Sequence, residues 1–322
     1  MGVLLRILKW SSLVFGILII GLLTILYTVF PKVDPAGDII IDSSDEIIAR
    51  GDYLANHVAV CIDCHSTRDW SYFSGPIIPG TEGIGGEKFG KEYGFPGTFY
   101  AKNITPAGIG DWTDGELHRL ITTGVTRDWE PIFPLMPYPS YGKMDVEDMK
   151  SIIAYIRSLE PQENEVKESK ADFPMNLIMR MIPKPAEPTT RPSPSDTLNY
   201  GKYLVTIAGC SECHTMAEKG KPVEGMSFAG GFEFKLPGGG IVRSANLTPD
   251  ETTGVGNWEV DDFLDRFSAF IDPFGIETVP GGFNTVMPWT MYAGMTEEDL
   301  TAIFKYLQTL TPIENEVIVF SQ

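Results

Sequence analysis

All four cysteines of this 322-residue chain lie in two short stretches of the same design. Residues 58–65 read VAVCIDCH, and residues 207–214 read IAGCSECH. In each stretch two cysteines stand three positions apart, and a histidine follows the second cysteine directly. One helical turn brings side chains at positions i and i+3 to the same side. Each stretch therefore offers two thiols and one imidazole to a single ligand or cofactor.

Three kinds of site use two cysteines at this spacing, and two simple disulfides are a further alternative. A zinc site would draw on both pairs, as four thiolates or as thiolates with histidines. A redox dithiol would place a reactive cysteine at a helix start in a thioredoxin-like βαβ unit. In covalent haem the thiols form thioether links to the porphyrin, and the histidine binds the iron. Only covalent haem accounts for the histidine after each pair. The sequence therefore predicts two c-type haems, held by Cys61, Cys64 and His65 and by Cys210, Cys213 and His214.

A haem iron that carries electrons without binding small molecules needs a second axial ligand opposite its histidine. Met136 in FPLMPYPSY and Met287 in NTVMPWTMY each lie in a loop just before a predicted helix. The proline after each methionine fixes φ and cannot donate a backbone hydrogen bond, which helps to hold the loop against a haem. Because thioether ligation raises the reduction potential, these methionines would complete two relatively high-potential irons with His65 and His214.

Other methionines and histidines are weaker candidates for binding iron. Met144 and Met295 also correspond to each other, but each stands just before an acidic helix start, where a hydrophobic staple accounts for it. Met291 has no methionine counterpart in the first half of the chain, and His57 and His118 have no histidine counterpart in the second. We interpret His118 as belonging to a helix face.

Two polar and two aromatic positions also recur, in the stretches that read N-[IL]-T-P…G-[IV]-G-x-W. They are Asn103, Asn246, Trp112 and Trp258. The asparagines could bind haem propionates and the tryptophans could line a pocket. Alternatively, Asn and Pro shape a turn while Trp fills space. The sequence alone leaves both interpretations open.

The motifs belong to a unit that is written twice in the chain. Three blocks recur in the same order, 51–65 with 201–214, 102–112 with 245–258, and 135–166 with 286–317. Matched blocks in a fixed order indicate a duplicated domain. A buried haem would supply much of the apolar interior that so short a domain lacks.

The residue pattern of each copy predicts helices that are joined by long ordered loops. An amphipathic helix with an acidic first turn closes each copy, at about 145–159 and 296–310. The middle of each copy is rich in Gly, Pro and Asn. We expect an all-α fold with two tandem domains, at 46–166 and 197–317, joined by a Pro-rich linker at 167–196.

Two segments depart from this pattern. The front half of the linker, FPMNLIMRMIP at 173–183, is too apolar for a free linker. It should pack on one lobe or on a partner, or rest at a membrane surface. The segment GGFEFKLPGGGIV at 230–242 should add a short hairpin to the second copy.

Residues 1–31 predict a transmembrane anchor. The stretch from Trp10 to Phe30 has no charged residue and is long enough to cross the hydrocarbon core as a helix. A secretory signal has a shorter apolar region and a small-residue cleavage site, so cleavage is the alternative. Arg6 and Lys9 before the span favour a cytoplasmic N-terminus, and Lys32 weakens that bias only slightly. We expect a single-pass protein of the bacterial inner membrane with its haem domains on the periplasmic side, where c-type haem is attached.

The chain is strongly acidic, with 25 basic and 43 acidic residues and a formal net charge of −18. Such a surface should repel nucleic acid and anionic lipid headgroups. It could steer a basic redox partner into an encounter complex, or it could simply keep an exported protein soluble.

These motifs resemble the cytochrome c subunit of membrane-bound alcohol and gluconate dehydrogenases, within a wider class of tandem cytochromes c. The likeness rests on G-x-Y-L before C-x-x-C-H, on the N-[IL]-T-P stretches, on FPLMPYPSY and on FPMNL in the linker, and covers about residues 46–317. It implies the same eight haem-binding residues. The sequence differs in having two haem motifs where that subunit usually has three, and in its N-terminal anchor.

The resemblance implies an electron carrier rather than an enzyme. Members pass electrons from a periplasmic dehydrogenase toward quinone or a terminal oxidase. We therefore expect a relay between a respiratory donor, either a dehydrogenase or a quinol-oxidising complex, and an acceptor such as a terminal oxidase. A dihaem peroxidase is the alternative, but it needs an open or displaceable distal site with acid–base residues. Neither copy presents an obvious distal His or Glu. A structural or assembly subunit of a respiratory supercomplex is a third possibility.

Overall fold

The N-terminal helix stands apart from the rest of the chain. In the computed structural model, which describes residues 2–218, 220–236 and 238–322, helix α1 (Gly2–Val29) is long and apolar enough to cross a membrane. Nearly all of its surface is uncovered by protein, and Leu26 near its C-terminal end is buried. The helix therefore contains almost the whole predicted span.

Most helices of the first copy of the repeat have a counterpart in the second. The first copy contains α2 (Asp45–Tyr53), α3 (Cys61–Cys64), α4 (Pro106–Ile109), α5 (Asp114–Thr123), α6 (Tyr138–Tyr141) and α7 (Val146–Ser158). Between the copies lies α8 (Met175–Ile178), which continues as a 3-10 turn over Met179–Met181. The second copy contains α9 (Thr197–Ile207), α10 (Cys210–His214), α11 (Val260–Ser268), α12 (Trp289–Tyr292) and α13 (Glu297–Leu307). The predicted closing helices correspond to α7 and α13.

Side-chain caps explain where several of these helices begin. Thr113 and Glu116 form a reciprocal capping box at the start of α5. Asp145 accepts a hydrogen bond from the backbone of the first turn of α7, and Thr296 does the same for α13. The closing helices therefore start at equivalent residues of the two copies.

Within the described residues, three small antiparallel sheets supplement the all-α fold that the sequence predicts. They are β1 (Lys88–Phe89), β2 (Gly97–Tyr100) and β3 (Lys170–Ala171), then β4 (Ala217–Glu218) and β5 (Lys221–Pro222), then β6 (Glu233–Lys235), β7 (Ile241–Arg243) and β8 (Phe320–Ser321). The pair β6–β7 is the predicted hairpin, with Glu233 opposite Arg243. Strand β3 comes from the predicted linker, and β8 occupies the equivalent place in the second copy. Such strands are too short to show a period-2 pattern in the sequence.

Close helix crossings form the centre of each copy. Helix α2 packs against α7, and α9 packs against α13. Gly51 and Gly201 lie at these crossings, where an added Cβ atom would collide with the carbonyl oxygens of Ser151 and Ala302. The buried apolar side chains of both copies form one continuous cluster. The two copies therefore share a single core.

Candidate functional site

A short helix begins at the first cysteine of each motif. The residue before each helix, Val60 for α3 and Gly209 for α10, adopts the left-handed conformation with φ of 47° and 66°. This conformation suits glycine and costs a β-branched valine energy. The chain reverses there, and a single helical turn then carries both cysteines of the motif. All four cysteines are free of disulfide bonds.

The two motif histidines are oriented in the same way by backbone carbonyls. The Nδ1 atom of His65 lies 2.6 Å from the carbonyl oxygen of Lys102, and that of His214 lies 2.8 Å from the carbonyl oxygen of Ala245. Because Nδ1 donates to the carbonyl, Nε2 keeps its lone pair for a metal. Burial lowers the pKa of both histidines, which favours the neutral imidazole that a metal ligand requires.

Asn103 and Asn246 hold the loops that supply these carbonyls. Each Oδ1 atom accepts hydrogen bonds from the backbone N–H and the hydroxyl of the threonine two positions later, at 2.8–2.9 Å. Each Nδ2 atom donates to a backbone carbonyl, that of Gln162 or Ile313, at 2.7 Å. Both amides are buried and satisfied within the protein. This favours the loop-forming interpretation over a direct contact with haem propionates. Trp112 and Trp258 pack, partly buried, against the core.

The loops that carry Met136 and Met287 are half-buried and lead directly into α6 and α12. A tyrosine at the end of each short helix ties it to the motif of the same copy. The hydroxyl of Tyr141 donates to the carbonyl of Ala59 at 2.7 Å, and that of Tyr292 donates to the carbonyl of Ala208 at 3.2 Å. Each carbonyl lies two residues before the first cysteine. The structure thus joins each predicted sixth-ligand loop to its motif, while iron ligation by the two methionines remains a prediction.

The other methionines that the sequence offered as iron ligands lie in the core instead. Met144 and Met295 are 2% and 7% exposed. Each stands directly before the N-cap of a closing helix, and the residue five positions later, Met149 or Leu300, belongs to the same buried cluster. This is the arrangement of a hydrophobic staple. Met291 is also buried.

The two histidines outside the motifs have other surroundings. His57 lies with its Nδ1 atom 2.8 Å from the carbonyl oxygen of Met291, so it joins the two copies. Its ring packs so closely on Gly294 that a Cβ atom there would overlap it. His118 lies on α5, and burial lowers its pKa.

Each candidate site borders the other copy of the repeat. The hydroxyl of Ser74 donates to the carbonyl of Met287 at 2.6 Å and accepts from the backbone N–H of Trp289 at 3.0 Å. A second serine of the first copy, Ser140, donates its hydroxyl to Glu212 of the second motif at 2.9 Å. A turn of the first copy therefore holds the Met287 loop of the second.

A buried ion-pair cluster lies beside the first motif. Arg68 bridges Asp63 and Glu87 at 3.1 and 2.9 Å. Burial raises the pKa of Asp63 to about 6, although the Arg68 guanidinium opposes that rise. The residue of the second copy that is equivalent to Arg68 is Ala217, which has no charge. The two sites therefore have different electrostatic surroundings.

The arrangement of the thiols distinguishes among the chemistries that the spacing allows. Within the described residues, no three His, Cys, Asp or Glu side chains gather as a metal ion would require. Burial raises the pKa of Cys61, Cys64 and Cys210 to about 12, so these thiols are protonated near neutral pH, unlike a reactive dithiol. Two separate units remain, each with paired thiols and a free imidazole Nε2. Their donor sets fit a covalently attached haem.

Sequence reasoning missed the groups that position the motifs. The carbonyls of Lys102 and Ala245 belong to the backbone and leave no signature in residue type. Tyr141 and Tyr292 recur at matched positions, so the repeat itself could have indicated them. Ser74 corresponds to nothing in the repeat that would have singled it out.

Comparison with known proteins found no family model that matches the chain. The chain is 31% identical over 291 residues to the cytochrome c subunit of a quinone alcohol dehydrogenase from Gluconacetobacter polyoxogenes, covering 84% of this chain and 58% of that subunit. It is 29% identical over 306 residues to the cytochrome c subunit of gluconate 2-dehydrogenase from Pantoea cypripedii, covering 87% and 63%. The chain thus spans less than two thirds of the length of these subunits.

A shorter relative matches at closer to full length. The chain is 25% identical over 263 residues to a diheme cytochrome c-type protein from Cereibacter sphaeroides, covering 79% of this chain and 83% of that protein. The resemblance that the motifs indicated is confirmed by these three relatives.

Proposed function

We propose, from the similarity of the chain to its relatives, that it is a membrane-anchored dihaem cytochrome c that relays electrons. Over most of its length the chain is similar to cytochrome c subunits of alcohol and gluconate dehydrogenases and to a diheme cytochrome c. Its cofactors are two covalently bound c-type haems, one for each motif. The observation that carries the proposal is the repeated triad of two thiols on one helical turn and an imidazole held through Nδ1.

Each copy of the repeat holds its haem with its own residues. The paired cysteines would form the thioether links, and the backbone carbonyl of Lys102 or Ala245, by accepting from Nδ1, would leave the histidine Nε2 available to the iron. Met136 and Met287 would each supply the second protein ligand of one iron. Bound haem supplies a one-electron couple, and a thioether ligand sets that couple at a relatively high potential.

The chain acts as a carrier rather than as a catalyst. Two of its relatives are named as cytochrome c subunits of dehydrogenases. Both copies carry the same Met-Pro loop, which would close both irons to small molecules. A dihaem peroxidase, the alternative, would need one iron that is open.

The electron donor is a dehydrogenase, as the names of the relatives suggest, and the acceptor is a respiratory component such as a terminal oxidase. The haem held by each copy would supply a one-electron couple, so the two copies together would pass electrons from donor to acceptor. Contacts between the copies at Ser74 and Ser140 support such a path, because they bring each motif or its ligand loop against the other copy.

Helix α1 is retained as a single-pass anchor of the bacterial inner membrane, with the haem-binding domains on the periplasmic side. Contacts at the C-terminal end of the helix support retention. Arg180 lies with its guanidinium carbon 4.5 Å from the centre of the Tyr27 ring and donates to the carbonyl of Phe30 at 3.3 Å. A cleaved signal would leave these contacts unmade. The basic residues before the span set the orientation, with Arg6 and Lys9 on the cytoplasmic side.

Ligand binding by the purified membrane protein tests this function. A pyridine haemochrome should give two c-type haems per chain. The reduced protein should bind carbon monoxide slowly and to a small extent, and peroxide should not be turned over with a reduced donor. Rapid carbon monoxide binding to one haem together with peroxide turnover would identify a peroxidase instead.

A further inference from the structure

The apolar front half of the linker, the connector (residues 173–183), is fixed to the end of helix α1. Arg180 is only 6% exposed, and it contacts three groups. It donates to Glu130 of the first copy at 2.7 Å and to the carbonyl of Phe30 at 3.3 Å, and it stacks on the ring of Tyr27. The connector, the first copy and the end of α1 therefore meet at one residue.

Aromatic residues near the two ends of the uncharged stretch of α1 define a depth in the bilayer. Trp10 and Tyr27 are both exposed on the helix surface, and at 1.5 Å per residue they are about 26 Å apart. That separation is close to the hydrocarbon thickness of about 30 Å, and both residue types favour the membrane–water boundary. If α1 spans the membrane, Tyr27 lies at the periplasmic headgroups, and Arg180 lies there with it.

The connector beside Arg180 turns apolar side chains away from the protein. Phe173 is 80% exposed, Ile178 39% and Met181 51%. Ile178 and Met181 are three positions apart and so share a helical face, while Met179 is buried against the protein. Large exposed apolar side chains that cluster in this way mark a surface that something else covers.

The charge of the segment indicates what covers it. Residues 173–183 contain no acidic residue and a single basic one, Arg180, in a chain whose net charge is −18. A short element with an apolar outer face, placed at headgroup depth, has the properties of an in-plane membrane segment. A protein partner would not account for its attachment to Tyr27 and Phe30.

We propose that residues 173–181 lie in the periplasmic headgroup region of the membrane, with Phe173, Ile178 and Met181 inserted among the lipids. The inference rests on the proposed retention of α1 as an anchor. The haem-binding domains then have a second attachment to the bilayer in addition to α1. The first copy is thereby held at a fixed height above the membrane, rather than swinging on a single helix.

Cysteine accessibility in lipid nanodiscs tests this placement. Phe173, Ile178 and Met181 are each replaced by cysteine in the full haem-loaded chain, which is placed in phosphatidylcholine nanodiscs and reacted with a membrane-impermeant maleimide. Glu224→Cys, at an exposed position in the second copy, is the control for a water-exposed thiol. Leu18→Cys, in the middle of α1, is the control for the bilayer. Wild type, whose cysteines are tied to haem, is the blank.

The three connector thiols should react at least about tenfold more slowly than the thiol at position 224, because the reagent has to leave water to reach them. The thiol at position 18 should be protected as well. Connector thiols that react as fast as the one at 224, while position 18 stays protected, would overturn the placement and leave the anchor intact. Fast reaction at position 18 would show that α1 does not span the bilayer, and it would contradict both the proposed anchor and the placement of the connector.

Discussion

The hydroxyl of Tyr53 donates a 2.7 Å hydrogen bond to Oδ2 of Asp299, and this bond crosses from the first copy of the repeat to the second. Tyr203 and Asp148, the equivalent residues, make the same 2.7 Å bond in the opposite direction. Asp148 and Asp299 are 1% and 6% exposed. The two copies are therefore joined reciprocally. The tyrosine that precedes each haem motif binds the closing helix of the other copy.

Loss of the Tyr53 hydroxyl should destabilise the protein more than loss of the Tyr203 hydroxyl. Asp148 also pairs with Arg50 and Arg191, so it stays partnered after Tyr203→Phe. Asp299 makes no ion pair of this kind among the described residues. We expect Tyr53→Phe to cost about 1–3 kcal/mol of unfolding free energy, as for a buried carboxylate that loses a partner. Denaturant unfolding of the full chain in detergent measures this.

Tyr306→Phe is the matched control for this pair, because its hydroxyl makes no hydrogen bond within the described residues and the side chain is only half-buried. Tyr306→Phe should leave the free energy of unfolding nearly unchanged. A Tyr53→Phe effect as small as that of Tyr306→Phe would show that the bond across the copies contributes nothing to stability.

Substitution of each predicted sixth ligand should change one haem only. Met136→His replaces a thioether with an imidazole and should lower the potential of the first haem. Met287→His should do the same to the second. Each variant should also lose half of the weak far-red absorption that sulfur-to-iron ligation gives the oxidised protein. Potentiometric titration followed by haem absorbance resolves the two couples.

Met144→Leu and Met295→Leu are the controls, since these buried methionines precede helix caps and have no predicted contact with iron. Their potentials should match those of wild type. If neither histidine substitution moves a potential, the assignment of Met136 and Met287 is wrong, although electron transfer by the two haems would stand.

Ser74→Ala should weaken ligation at the second haem from a position in the first copy. Ser74 donates to the carbonyl of Met287 and accepts from the backbone of Trp289, so it holds both ends of the Met-Pro turn. Without it, the loop has fewer restraints. We expect faster carbon monoxide binding to the reduced second haem and a weaker far-red band, with the first haem unchanged.

Ser71→Ala is the control for this substitution, because the Ser71 hydroxyl donates to Asp69 of its own turn at 2.6 Å and, among the described residues, makes no hydrogen bond to the Met287 loop. It should leave carbon monoxide binding as in wild type. Equal changes at both haems in Ser74→Ala would indicate general loosening, and they would contradict a specific role in positioning Met287.

The sequence was most informative where the chemistry is local. The two C-x-x-C-H motifs, the Met-Pro loops, the closing helices and the β6–β7 hairpin each occupy a few consecutive residues, so residue type and spacing are enough to indicate them. The orienting contacts of His65 and His214 could not be predicted in this way, because carbonyls accept hydrogen bonds whatever the side chain. The bonds from Tyr53 and Ser74 join residues that are far apart in the chain. They depend on how the copies pack, and no local pattern encodes that.

The helix crossings at Gly51 and Gly201 lead to a test in which two effects have opposite signs. Alanine is favoured over glycine in a helix interior by about 1 kcal/mol, so propensity alone predicts that Gly51→Ala stabilises the protein. An added Cβ atom at Gly51 would collide with the carbonyl oxygen and carbon of Ser151 on α7, and a backbone atom cannot move aside as a flexible side chain can. Overpacking of this kind costs about 1–3 kcal/mol, so we expect Gly51→Ala to destabilise the protein overall.

The same collision should also reach the first haem, since α2 runs through a π-helical turn at Leu54–Val58 into the motif that begins at Cys61. We expect Gly51→Ala to perturb the absorption and potential of the first haem, and Gly201→Ala those of the second. Gly37→Ala is the control, because a Cβ atom there meets nothing within 4 Å. Denaturant unfolding and potentiometric titration of the three variants measure both effects. A stabilised Gly51→Ala protein with unchanged haems would mean that α2 and α7 can separate at no cost, and that their close crossing does not position the motif.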